Sequence, residues 1–303
     1  MSGQLPAGVE RDQPLARLTT VRTGGSGEFF ARASGPEQLA TLLEWAHAEK
    51  HNVNVVGSGS NLLIADEGVT GLVIKLDKQL ATIDKDDDTH LLCGGGARLP
   101  AIAAYAAREG LSGIEFGVNI PGTLGGAVRM NANAYGGELA RVLKWVEIAR
   151  ADGSVERRAP HELDFAYRGS GLKDGEVVTR ARIALEPHPS QEVRATLEEM
   201  RRRRHEAQPQ GIKTFGSTFK NPDDPRAEGR SAGILLSEAG CNGLQVGGAR
   251  FAPKHANFVE NMGEARTADV LALMAEGRRR VLERFGVELE PEVQTLGAVH
   301  FDW

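Results

Sequence analysis

Cysteine is nearly absent from this chain. Cys93 and Cys241 are the only two in 303 residues. Two distant cysteines make neither a disulfide framework nor a thiolate metal site, and they fit a reducing cytoplasm. No run approaches the roughly 20 apolar residues of a membrane span. Met1 to Pro14 has neither a basic start nor an apolar core, so no signal peptide is expected. A net charge of −5 gives no global reason to expect a nucleic-acid partner. His47, His51, His161 and His188 are scattered without ligand spacing, and no metal centre is expected. No Gly-Lys-Ser or Gly-Lys-Thr tripeptide occurs, which excludes a P-loop.

What the chain does contain is an ordinary globular composition, 41% hydrophobic and 25% charged, in a length suited to about two domains. It is organised around Ile120-Pro-Gly-Thr-Leu-Gly-Gly-Ala127. Pro121 fixes φ and has no N–H to donate. Gly122, Gly125 and Gly126 lack a Cβ, so a large ligand can approach the backbone. Ala127, Val128 and Met130 suit the first turn of a helix, whose free N–H groups attract phosphate. A shorter loop, Gly57-Ser-Gly-Ser-Asn61, lies upstream. It lacks the third glycine and the β-α-β setting of a dinucleotide fingerprint. Each loop can be read as a tight turn. Ser58, Ser60 and Asn61 add side-chain donors, a good lining for a pyrophosphate.

In chain order, residues 1–16 read as a loose lead-in and Phe29–Ala31 as a strand. Ser34 or Gly35 caps a helix with Pro36 in its first turn, and Leu39, Leu42, Leu43 and Ala46 recur at helical spacing. Asn54–Val56, Leu62–Ile64 and Leu72–Leu76 are short strands, and Asp84–Asp88 is an acidic hairpin tip. Leu99–Glu109 is a helix. Val142–Ala149 and Val155–Arg158 flank an Asp152-Gly153 turn, and Val177–Leu185 alternates as a strand. Pro187-His-Pro189 breaks the pattern, and a domain boundary is expected there. Gln191–Glu206 and Thr267–Phe285 are helices, and Ala232–Ala239 is a helix ended by Gly240. Leu289–Val293 closes the chain as a strand.

Arg201–Arg204 suggests an anion patch, but a helix spreads four successive residues around its circumference. A solvated face, with one arginine at most turned into a site, is the simpler reading. Arg168, Ser217 and Glu292 could form a catalytic set. Singly, each has a plain explanation as a surface arginine, a turn serine or a strand-end glutamate. Spacing alone does not bring them together.

These motifs together resemble the UDP-N-acetylenolpyruvoylglucosamine reductases, a family of bacterial flavoenzymes of peptidoglycan synthesis. The resemblance rests on Leu18-Thr-Thr-Val-Arg-Thr-Gly-Gly25, Gly57-Ser-Gly-Ser-Asn-Leu-Leu63, residues 120–127, Met130-Asn-Ala-Asn-Ala-Tyr-Gly136, Tyr167-Arg168 with Ser170, Gly216-Ser-Thr-Phe-Lys-Asn-Pro222, His255-Ala-Asn-Phe258 and Leu289-Glu-Pro-Glu-Val293. The glycine loops belong to a wider set of flavoproteins, whereas the serine motif and the terminal Glu-Val are more specific. The compact length looks like the shorter family subtype. Gly24-Gly-Ser-Gly27, Asn119 and the Gly-Leu after Ser170 depart from the family pattern.

The resemblance implies an α+β fold, with a two-part FAD-binding domain of the PCMH/vanillyl-alcohol-oxidase type and a smaller α+β substrate-binding domain. The first would comprise residues 1–187 with the terminal strand 289–303 returning to it, and the second residues 188–288. FAD would lie, non-covalently, across Gly57, Ser58, Gly59, Ser60, Asn61 and Leu62 and across Pro121, Gly122, Thr123, Gly126, Ala127 and Asn131. The implied reductant is NADPH and the substrate a UDP-sugar carrying an enolpyruvyl group. Arg168, Ser217 and Glu292 would be catalytic, and Tyr167, Lys220, Asn221 and His255 would bind substrate. No nucleic-acid, membrane or obligate protein partner is implied, and no metal. Two rivals are an oxygen-using FAD oxidase of the same fold and a non-catalytic nucleotide-binding protein.

Overall fold

Leu39, Leu42, Leu43 and Ala46 all point inward from the helix Pro36–Ala48, as their spacing predicts. Pro36 sits in its first turn, and Gly35 occupies the cap position without a side chain to bond. The computed structural model describes residues 4–209 and 211–303. The chain falls into two units, each described on its own below. One comprises the described residues up to Arg11, Glu28–Ser58 and Thr70–Glu206; the other comprises Asp12–Gly27, Gly59–Val69 and Ala207–Trp303.

The described residues of the first unit carry two larger sheets and two two-stranded pairs. One has four strands, in the order Val9–Pro14, Ser26–Ala33, Val69–Leu76, Val53–Val55, the last two parallel with Val53 opposite Leu72. Helix Pro36–Ala48 packs on it, burying Leu39, Leu42 and Leu43 with Phe29, Ala31, Leu72 and Ile74. The other sheet has five antiparallel strands, in the order Val155–Arg158, Leu143–Ala149, Val177–Ala184, His90–Gly94, Ile83–Lys85. Asp152 turns the first hairpin by accepting the Ser154 N–H at 2.9 Å. Helix Leu99–Arg108 lays Leu99, Ile102, Ala103 and Ala106 into the core beneath this sheet.

The second unit is built on the helix Thr267–Phe285, which buries Val270, Leu273, Met274 and Val281. Asp66 caps it, accepting the N–H groups of Thr267 and Ala268 at 2.9 Å each. Phe215, Phe219, Phe251, Leu235 and Leu236 fill the same core. Beside it run Gln245–Val246, Ala249–Phe251 and Val259–Asn261, antiparallel. Among the described residues no helix is long and apolar enough to cross a membrane.

Two expectations change. Within the stretch expected to be a loose lead-in, Val9–Pro14 is an edge strand, although Val-Glu-Arg-Asp-Gln-Pro shows no alternation, because backbone pairing needs no hydrophobic pattern. Leu289–Val293 is not a regular strand. Pro291 has no N–H for a ladder and makes one isolated bridge, to Phe219. The strand starts later, at Gln294–Leu296, and runs parallel to Leu62–Ile64. The residues around Pro187-His-Pro189 pack within the first unit. Glu186–Pro187 pairs with Leu111–Ser112, the His188 N–H donates to Gly110, and Ser190 Oγ donates to Ala107 at 2.6 Å. Helix Ser190–Ala207 buries Val193 and Leu197 in the first unit's core. Segments 12–27 and 59–69 belong to the second unit, and the terminal strand pairs with Leu62–Ile64 there.

Candidate active site

In the first unit the glycine loop is pinned from below. The N–H groups of Leu124 and Gly125 donate to Ala97 and Gly95 at 2.8 Å each, and the Leu99 N–H donates to Gly122 at 3.0 Å. Thr123 caps the short helix Leu124–Arg129 in an extended conformation. The glycines then divide by what they face. A Cβ on Gly57 would come within 2.3 Å of Thr123 Oγ1, so that glycine serves packing between the two loops. A Cβ on Gly122 would meet only Ile120 Cγ2, at 3.9 Å, and one on Gly126 only Thr123 Oγ1, at 3.6 Å. These two open onto space that no protein atom fills, as a cradle for a large ligand requires.

The carbonyls of the upstream loop are held by the protein. Lys75 Nζ donates to the Gly57 carbonyl at 2.6 Å in the first unit. In the second unit the Thr20 N–H donates to the Gly59 carbonyl at 3.0 Å, and the Gln294 N–H donates to the Asn61 carbonyl at 3.1 Å. In a trans peptide the next N–H points opposite to the carbonyl, so the N–H groups of Ser58 and Ser60 face away from these donors. Backbone N–H groups of this kind are donors that a pyrophosphate can use. Burial, with Arg32 and Arg98 nearby, lowers the Lys75 pKa, while Asp77 opposes the shift.

Arg168 lies in the same unit, at φ +58, on the tight turn where Ala166 bridges Gly169. Its Nη1 donates to Asn133 Oδ1 at 3.0 Å, and its guanidinium lies 5.0 Å from the Tyr167 ring centroid. Asn131 is 1% exposed. Its Nδ2 donates to Glu138 at 2.6 Å and to the Ala166 carbonyl at 3.2 Å, and its Oδ1 accepts the Ala140 N–H. That amide ties loop 130–140 to the arginine turn. Of the four arginines, Arg202 and Arg203 pair with Glu199 on the surface. Arg204 turns inward and donates to the Asn119 carbonyl, immediately before the glycine loop.

The second unit holds Ser217 and Glu292 on adjoining segments. Thr218 is the link: its N–H donates to the Asn257 carbonyl at 2.8 Å, and its carbonyl accepts the Glu292 N–H at 2.9 Å. Asn61 Nδ2 donates to the Glu292 carbonyl at 3.2 Å. Gly59 must be glycine, since it sits at φ +61 with Leu18 O 2.1 Å from where a Cβ would stand. Lys220 pairs with Glu290 at 3.2 Å, and Asn221 Oδ1 accepts the Ala232 N–H at 3.2 Å. His255 stacks edge-on against Phe258, 4.8 Å between centroids, and its Nδ1 accepts the Asn257 N–H. Burial lowers its pKa, which keeps the ring neutral near pH 7.

Burial pushes the Cys93 thiol up to about 12 and the Cys241 thiol up to about 11, so neither is a thiolate near neutrality. Lys75, Asn133, Arg204 and Asn257 were not singled out in the sequence as site residues. Each acts through a partner remote in the chain; Asn133, Arg204 and Asn257 stand in motifs quoted from the sequence, and Lys75 only in the strand expected at Leu72–Leu76.

Two family models match the chain. One, described as an FAD binding domain, covers residues 28–158. The other, the C-terminal domain of UDP-N-acetylenolpyruvoylglucosamine reductase, covers residues 208–296. A UDP-N-acetylenolpyruvoylglucosamine reductase of Agathobacter rectalis is 42% identical, over 97% of this chain and 96% of the relative. Reductase 2 of that name from Symbiobacterium thermophilum is 40% identical over 98% and 94%. The crystal structure of the Thermus caldophilus enzyme superposes with a TM-score of 0.82 at 39% identity, over 95% of this chain and 98% of that one.

Proposed function

The chain belongs to the UDP-N-acetylenolpyruvoylglucosamine reductase family, and from that premise we propose how its residues carry the family's reaction. The protein is a flavin-dependent oxidoreductase that reduces UDP-N-acetylglucosamine-enolpyruvate to UDP-N-acetylmuramate in peptidoglycan synthesis, with FAD as cofactor and NADPH as reductant.

The open faces of Gly122 and Gly126 and the N–H groups of Ser58 and Ser60 fit a bound dinucleotide. Residues 57–62 and 120–127 would hold the FAD, with Lys75 fixing the Gly57 carbonyl behind the upstream loop. Residues 57–61 contain no His or Cys, so the attachment is non-covalent. When bound, FAD supplies the hydride that reaches the terminal enol-ether carbon of the substrate. The chain's own residues do the rest. Arg168, held by Asn133, neutralises the carboxylate on which negative charge develops. Ser217 donates its hydroxyl proton to the adjacent carbon, a strong enough base to accept it. Glu292 supports that charge through a hydrogen bond. Asn131, with its amide engaged in protein bonds, ties the arginine turn to its loop.

The C-terminal part takes the UDP-sugar. Asn221 offers its Nδ2, the neutral His255 ring packs beside the nucleotide, and Lys220 exchanges Glu290 for a phosphate. Tyr167 completes the carboxylate end. The work is that of a cytoplasmic enzyme whose partners are small molecules. The observation carrying this assignment is the Thr218 peptide, bonded to Glu292 directly after Ser217. Its test is anaerobic. NADPH bleaches the visible flavin band, and the enolpyruvyl sugar restores it without oxygen. Recovery requiring oxygen instead would assign the protein to the oxidases.

A further inference from the structure

Ser217 lies in no regular strand. Its segment is held by single bridges, Ser217 to Phe258 and Phe219 to Pro291. A bridge of one residue fixes position poorly, because the neighbouring rungs that would stop a slip are missing. Two backbone bonds tie one side of the segment to residues 290–292, and its other side needs a partner beyond the Ser217 bridge.

Asn257 is that partner. Its Oδ1 accepts the Phe219 N–H at 2.9 Å, and its Nδ2 donates to the Phe219 carbonyl, also at 2.9 Å. A carboxamide presents one acceptor and one donor at peptide spacing, so this side chain supplies the pair of bonds a strand backbone would have made. Its own carbonyl accepts the Thr218 N–H at 2.8 Å. On the opposite side the Glu292 N–H reaches the Thr218 carbonyl, and the Lys220 N–H reaches the Glu290 carbonyl, each at 2.9 Å. Asn257 is 4% exposed and Phe219 fully buried, so water cannot replace the bonds cheaply.

We infer that Asn257 is a positioning residue for the proton-donation step: through the Phe219 peptide it fixes the spacing of Ser217 and Glu292. The inference rests on the assignment of Ser217 as proton donor. Neither aspartate, which keeps the acceptor and loses the donor, nor alanine can reproduce both bonds.

Stopped-flow absorbance on the FAD-loaded enzyme tests it with Asn257→Ala, Asn257→Asp and Ser217→Ala measured side by side. Asn257→Ala should leave flavin reduction by NADPH near normal and slow reoxidation by the enolpyruvyl sugar about 10²-fold, the cost of a misplacement near 1 Å. Its solvent deuterium isotope effect on reoxidation should rise, and the Phe219 amide should exchange faster in protein without substrate. The nearly isosteric Asn257→Asp carries the same reading if the alanine variant does not fold. Normal reoxidation in Asn257→Ala with a slow Ser217→Ala overturns the role of Asn257 alone, as does equal slowing of both half-reactions by the Asn257 variants. Normal reoxidation in Ser217→Ala overturns both assignments.

Discussion

Asn61 donates its side-chain amide to the backbone carbonyl of Glu292 at 3.2 Å, across 231 positions of sequence. Directly beyond, Gln294 stands opposite Leu62 in a parallel pair. A loop first read as a pyrophosphate lining therefore also anchors the segment carrying a proposed catalytic glutamate.

Removing that anchor should be measurable. Asn61→Ala leaves the Glu292 carbonyl without this donor, and a typical intramolecular bond contributes about 0.5–1.5 kcal/mol net. The urea midpoint should fall correspondingly with an unchanged slope. An unmoved midpoint would mean that the bond has no net effect on stability.

The two kinds of glycine predict opposite phenotypes. Gly122→Val adds a side chain toward open space, so the apoprotein should melt near the wild-type temperature and retain no flavin. Gly57→Ala instead drives a Cβ into Thr123 Oγ1, so the apoprotein itself should lose stability. Calorimetry of both apoproteins, with absorbance of the purified holoproteins, reads the contrast. Full flavin in Gly122→Val would remove that loop from the FAD site.

His255 gives a pH dependence of definite sign. Burial lowers its pKa in the fold below the ordinary 6.5. As pH falls through 6.5 the unfolded chain takes up the proton first, so folding stability declines until the folded value is passed. The effect is absent above 6.5, where both states are neutral. The wild-type unfolding free energy minus that of His255→Gln should therefore drop between neutrality and acid. A flat difference would show that the ring titrates normally.

Much of the fold is legible in the sequence, because its local signals and its packing agree. The helices Pro36–Ala48 and Thr267–Phe285 announce themselves by apolar spacing, and the Asp152-Gly153 hairpin by its turn chemistry. The unit boundaries are less so. The chain leaves and re-enters each unit, and a local break such as Pro187-His-Pro189 says nothing about which core will bury Val193 and Leu197. Within the candidate site, Ser217 and Glu292 are visible through their motifs, but the Thr218 peptide between them is a tertiary fact. Asn257 stands in a recognisable motif, yet its partner Phe219 is 38 positions away, and no periodicity reports that bond.

The most direct test of the account is the fate of one proton. In Ser217→Ala, reduction of the flavin by NADPH should keep close to its normal rate, since that half-reaction takes nothing from the serine. Reoxidation by the enolpyruvyl sugar should fall by about 10²–10⁴-fold, the range of general acid catalysis, with Ser217→Cys retaining more activity than alanine. Reoxidation at the wild-type rate in the alanine variant would assign the proton to Glu292 or to water and contradict the account.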